Sequence, residues 1–211
     1  MTSEAIDLNV ATKVKLWATR YYLYEAQSAF GAGSVAIKDM QGNVIGPSLK
    51  SKDWCLATIE GSVRVDGRTF NYAGTTGLPQ ARCSAKKANA RMRWQETEHE
   101  YGLGNKSNPL IPFKTIACDQ GTVANSRPWL NGGFARFGQR FFIPAAKGTK
   151  LPDGSLHDGI FVCGDVGSAI TGNHIDVFIG GAKGWRDAAK KDPFSFIRSN
   201  ASASFVAYAL P

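Results

Sequence analysis

An aspartate inside an otherwise apolar strand is costly to keep, and this sequence holds one at position 176. Residues 159–180 read GIFVCGDVGSAITGNHIDVFIG. One apolar run ends at Asp165, Gly167 and Gly172 permit a tight connection, and a second run, HIDVFIG, carries Asp176. A carboxylate set among Val, Ile and Phe is desolvated, which favours its protonated form and raises its pKa. A carboxyl that holds its proton near neutral pH is what general-acid catalysis requires. Asp165 ends a strand at a turn, where capping or pairing with Lys or Arg is the plainer role. Asp176 interrupts a strand, and neither role explains it. His174 falls on the same face of a regular strand as Asp176. It could hydrogen-bond a substrate or the carboxylate, or make only a structural hydrogen bond.

A second carboxyl to consider is Glu60, in the run LATIEG at 56–61, which is read here as a strand. It is either a groove residue or an outward-facing position of an alternating strand. Tyr21, Tyr22, Trp54 and Trp129 are the aromatics that could stack on a sugar, although such residues more often fill a core.

A metal centre is not indicated. The four cysteines, Cys55, Cys83, Cys118 and Cys163, contain no CxxC pair, and the three histidines are scattered. The cysteines form either two disulfides or four buried thiols. No cofactor motif is present. The net charge of +8 suits a polyanionic partner, whether nucleic acid, anionic membrane or acidic wall polymer. Long Lys/Arg blocks and nucleic-acid motifs are missing. The densest basic stretch (Arg82, Lys86, Lys87, Arg91, Arg93) reads as one helix face. No apolar run approaches the ~18 residues of a membrane span. The first residues show no basic segment followed by an apolar one, so no secretory signal is visible.

The elements that must position these groups read as mainly β. A strand is expected over 13–24, a hairpin over 34–46 turning at Gln41-Gly42-Asn43, and a hairpin over 55–73 turning at Asp66-Gly67. Residues 80–100, free of Gly and Pro, read as the best helix. Residues 102–112 form a loop. Short strands follow at 114–118, 138–144, 159–164 and 173–179, then a short helix after Gly184 and a last strand near 203–209. Short strands punctuated by glycine suit a closed barrel, which leaves no open edge. The length, 211 residues, fits one domain better than two.

The string DVGSAITGNHID, residues 165–176, resembles the signature of the three-aspartate, or 3D, domain. That domain is shared by membrane-bound lytic transglycosylase A and by muralytic proteins related to stationary-phase and resuscitation factors. The pattern of the family is Asp-x-Gly-Gly-Ala-Ile-x-Gly followed by an Ile-Asp pair. Here Ser168 replaces the second Gly, and Thr171 replaces a common Lys. The Ala-x-Asp strand end of the family is similar to Ala117-Cys118-Asp119, and its Thr-x-Tyr strand is similar to Thr19-Arg20-Tyr21. The resemblance runs from about residue 13 to residue 180, with an insertion around 75–113.

The resemblance implies a six-stranded double-psi β-barrel with one or two accessory helices and an inserted middle region, all in one domain over 1–211. It implies that Asp176 is catalytic and that Asp165 and Asp119 line its groove. Thr19, Tyr21, Glu60 and His174 are read from their positions as substrate-binding residues, and Glu60 facing Asp176 across the sugar would restore hydrolysis as an option. The implied activity is lytic transglycosylation of peptidoglycan at the MurNAc–GlcNAc β-1,4 bond, giving 1,6-anhydro-MurNAc ends without a cofactor. Endoglucanases and expansin-like modules share that barrel, so a hydrolase or a non-catalytic wall binder is the alternative. The endoglucanases resemble this chain at a strand reading Thr-Arg-Tyr-Trp-Asp, whose Asp is the base that activates water. This chain has Leu23 at that position, which favours transglycosylation. The expected setting is a monomer acting on glycan strands in the cell wall, with neither nucleic acid nor a membrane span. Phage-encoded or secretion-delivered origins would account for the missing signal.

Overall fold

Exposed lysines at 13 and 15 alternate with Val14, Leu16 and Ala18 and commit the first segment to a strand. In a computed structural model of the chain, residues 6–85 and 87–211 are described. The expected strand is present as β1 (Thr12–Glu25). The chain is mainly β and divides into two compact units, one of residues 1–20, 104–178 and 191–211, the other of 21–103 and 179–190.

The first unit holds β7 (Thr115–Cys118), β8 (Arg140–Phe142), β9 (Ile160–Asp165), β11 (Phe205–Ala209), and the leading parts of β1 and of β10 (His174–Ala182). Their order is β10-β7-β9-β8-β11-β1, and β10 pairs in addition with β1. β7 and β9 run parallel; β10 and β7 run antiparallel. The disulfide Cys118–Cys163 bridges β7 to β9. Ile116, Phe141, Phe161, Ile175 and Val177 are fully buried. His157 lies against Phe161, with ring centroids 4.6 Å apart. Burial pushes its pKa down, and its Nδ1 accepts the Gly159 amide at 2.8 Å. It is a core histidine held neutral.

The second unit holds the hairpin β2 (Ser34–Lys38) and β3 (Val44–Lys50), the helix α1 (Ser51–Glu60), and the antiparallel strands β4 (Ser62–Val65), β5 (Arg68–Thr75) and β6 (Met92–Thr97). The first expected hairpin is found, its turn fixed by the Asp39 carboxylate, which accepts the amides of Gln41 and Asn43. The Asp66-Gly67 turn is also found, with both residues at positive φ (49° and 76°) as a tight hairpin requires. A short helix α2 (Trp185–Lys191) follows Gly184 as expected.

Two readings are corrected. Residues 51–60 are helical rather than extended, so Glu60 ends a helix. Gly61, at φ 79°, caps it by donating its amide to the Ala57 carbonyl. Residues 80–100 do not form a helix: β6 pairs with β5, and the segment before it is tied back by Cys55–Cys83. Of the basic residues assigned to a helix face, Lys86 lies outside the described residues and the others stand on irregular chain or on β6. Pairing and covalent closure outweigh an intrinsic preference of a few tenths of a kcal/mol per residue. Among the described residues no helix is long and apolar enough to cross a membrane.

The two disulfides close loops of 45 and 28 residues. By loop-closure entropy, replacing Cys118 and Cys163 together with alanine should lower the unfolding free energy by about 4 kcal/mol, and replacing Cys55 and Cys83 by slightly less. Denaturant midpoints of the two double variants against the parent measure this.

Candidate active site

Asp176 lies on β10, opposite Ala117 of β7, and Asp165 pairs with the same Ala117 from the β9 side. A bulge between Ile116 and Ala117 sets that second pairing. Two strand spacings separate the aspartate backbones, on the order of 10 Å. Ile175 and Val177 point into the core, so His174 and Asp176 occupy the other face of β10.

Thr19 on β1 joins them. Its hydroxyl donates to Asp176 Oδ1 at 2.7 Å and contacts His174 Nε2 at 2.9 Å. The His174 ring stacks on Trp17, with centroids 3.5 Å apart and planes 7° from parallel. Its Nδ1 faces the Ala169 carbonyl oxygen at 3.3 Å. Asp176 remains half-buried.

Asp165 is half-buried and its Oδ1 accepts the amides of Asn105 (3.1 Å) and Val166 (2.8 Å). Gly104 allows this approach, since a Cβ there would lie 2.7 Å from the Gly164 carbonyl oxygen and 3.0 Å from Asp165 Cγ. Gln120 completes the support, donating to the Asp165 carbonyl and accepting from the Asn105 side chain.

Asp119 is only 1% exposed. Its carboxylate accepts three backbone amides, from Gly121 (2.9 Å), Arg127 (2.9 Å) and Gly172 (2.8 Å). Burial works against its charge, but the amides of Arg127, Gly172 and Gly121 outweigh that and hold its pKa below the ordinary 3.8. The grip on Gly172 anchors the connection between Asp165 and Asp176. The indole of Trp129, donating to the Asp119 carbonyl, adds to it.

The first unit therefore brings together Thr19, His174 and Asp176, with Asp165 and Asp119 anchoring the chain on either side. Tyr21 and Glu60 belong to the second unit. Tyr21 is half-buried on β1. Glu60 accepts the Tyr22 amide at 3.4 Å. Burial, followed by the nearby Glu60 carboxylate, pushes the Tyr22 phenol well above its ordinary range. Of the aromatics considered for sugar stacking, Trp54 is corrected to a core residue: it is fully buried and meets Trp94 edge to face at 6.2 Å. Leu23 is fully buried as well. Sequence reasoning missed Trp17, although it shares a face of β1 with Thr19 by simple alternation. Asn105 and Gln120 gave no signal, being distant in sequence from Asp165. Among the described residues no cluster of His, Cys, Asp or Glu is arranged to hold a metal ion.

Residues 133–190 match the 3D domain. Asp165, His174 and Asp176 fall inside that stretch, and Thr19 and Asp119 outside it. No curated protein matches the chain by sequence. Among solved structures, E. coli MltA with bound chitohexaose is similar with a TM-score of 0.57 at 14% identity, over 95% of this chain and 75% of that one. The membrane-bound lytic murein transglycosylase of Agrobacterium tumefaciens is similar with a TM-score of 0.57 at 15% identity, over 96% of this chain and 77% of that one. At such identities the likeness is one of fold. The chain thus carries a 3D-domain stretch on a fold shared with lytic transglycosylases, in line with the resemblance of residues 165–176.

Asp119→Ala should lower stability by about 3 kcal/mol, because it strands amides that a carboxylate satisfies. The folded pKa of Asp119 lies below its unfolded value, so its contribution is full above about pH 4 and is lost as pH falls through the lower folded pKa. Asp119→Asn should flatten that acid limb. Urea midpoints between pH 2.5 and 7 check both expectations.

Proposed function

We propose that this chain is a peptidoglycan lytic transglycosylase that cuts the MurNAc–GlcNAc β-1,4 bond and leaves 1,6-anhydro-MurNAc ends. The observation that carries the reading is Asp176, half-buried on β10 inside the 3D-domain stretch and held by the Thr19 hydroxyl. The ring of strands β1, β7, β8, β9, β10 and β11 is read as a six-stranded double-psi barrel. Asp176 donates a proton to the glycosidic oxygen as the C1–O bond breaks. The resulting carboxylate takes the proton of the MurNAc C6 hydroxyl, and O6 bonds to C1 in place of water. Since that hydroxyl belongs to the substrate, proximity replaces the activation of a water molecule.

Burial of Leu23 supports this choice over inverting hydrolysis, which needs a carboxylate on the opposite sugar face. Asp165 and Asp119 are assigned to groove shape through the loops they anchor. Tyr21 and Glu60 are assigned to substrate contact. The two disulfides support work in an oxidising compartment such as the cell wall. In this reading the chain acts there on glycan strands as a monomer.

Purified sacculi incubated with the protein should release muropeptides with anhydro ends, seen by mass spectrometry. Asp176→Asn should lower the rate at least ~1000-fold, since one group serves as both acid and base. Reducing ends in place of anhydro ends would reject transglycosylation in favour of hydrolysis. Sedimentation with sacculi and no soluble fragments would leave only a wall binder.

A further inference from the structure

Thr19 Oγ1 carries a single hydrogen and stands between two groups. With Asp176 ionised, that hydrogen is directed at its Oδ1, and in the contact with His174 Nε2 the ring nitrogen is then the donor. The second ring nitrogen faces the Ala169 carbonyl, which can only accept. With both nitrogens donating, this arrangement is an imidazolium answered by a carboxylate through one hydroxyl. Moving the Thr19 hydrogen onto Asp176 Oδ1 and the Nε2 hydrogen onto Thr19 Oγ1 gives a second arrangement with the same number of protons. In it Asp176 is a carboxylic acid donating from Oδ1 to Thr19, Thr19 donates to Nε2, and a neutral imidazole keeps its Nδ1 proton on Ala169. The ring is fixed for either arrangement, since it is 7% exposed and lies flat on Trp17.

We propose that His174 is a positioning residue that shares one mobile proton with Asp176 through Thr19. In the transfer the Asp176 O–H bond breaks as a new Thr19 O–H bond forms, and the hydrogen formerly on Thr19 bonds to His174 Nε2. A neutral acid and a neutral imidazole become a carboxylate and an imidazolium, and no proton is exchanged with solvent. Two such groups titrate as a pair. Their last proton leaves in the imidazole range, so the acid form of Asp176 stays accessible well above the ~4 of an isolated carboxyl. Other charged groups stand on the elements around His174. Asp119 and Asp165 hold backbone amides, Arg20 pairs with Asp192 at 2.7 Å, and Lys15 is exposed. The catalytic meaning of the relay rests on Asp176 being the acid, but the shared proton needs no glycan.

The test is an NMR titration of the His174 ring in the whole protein, without substrate, for the parent and for Asp176→Asn, Thr19→Val and Thr19→Ser. The parent ring should keep its proton above the ordinary ~6.5. Asp176→Asn and Thr19→Val should each lower the midpoint by about one pH unit, and Thr19→Ser, which keeps a hydroxyl, should match the parent. An unchanged midpoint in Asp176→Asn overturns the proposal, as does a Thr19→Ser midpoint equal to that of Thr19→Val. If Thr19→Val does not fold, the parent against Asp176→Asn decides. In sacculus digestion, His174→Gln should move the alkaline limb of kcat down by about one pH unit with KM unchanged. A limb that stays in place also overturns it. A coupled titration in a protein that releases no fragments would leave the relay standing and reject the glycan-cleaving reading.

Discussion

Everything in the first unit is arranged around a buried negative charge at the end of β7. The Asp119 carboxylate is out of water and cannot be left unanswered at a cost of less than several kcal/mol. Its partners are backbone amides from two separate loops, at 121–127 and at Gly172. Neither loop can leave without exposing that debt, so the connection between β9 and β10 is held at its midpoint. His174 and Asp176 begin immediately after that point. The side chain at position 176 is placed by a charge held elsewhere on the chain.

The three aspartates are thereby separated in kind. Amide hydrogens point one way only and favour the carboxylate, so the grip on Asp119 and Asp165 keeps those two groups as anchors. The partner of Asp176 is a hydroxyl, which can donate to a carboxylate or accept from a carboxylic acid. A group meant to give up a proton and take one back needs a partner that serves both forms. Asp176 meets such a hydroxyl in Thr19, whereas Asp119 meets the Ser126 hydroxyl only beside three amides that fix it as a carboxylate.

Much of this was legible in the residues because the strands of the first unit are short, apolar and punctuated by glycine. The string 165–176 declared its own turn and its own strand. The second unit was harder to read. The segment 51–60 contains Thr58 and Ile59, which prefer strands, and its best helical sign was Gly61 as a left-handed cap. The segment 80–100 had good helix formers, but partners distant in sequence decided its shape: β5 by pairing and Cys55 by covalent closure. The site was legible where alternation along one strand sufficed, as for His174 and Asp176. It was opaque where β1 meets β10, because nothing local tells that Thr19 will touch a residue 157 positions away.

Leu23 gives the fold a bearing on how this chemistry can change over time. With no solvent contact at that position, an aspartate introduced there would have to lose its hydration with no partner supplied, a penalty comparable to the whole stability of a domain. A carboxylate at that position is therefore blocked by foldability before any question of activity arises. The burial of this one leucine thus narrows which side chains the scaffold can ever accept there.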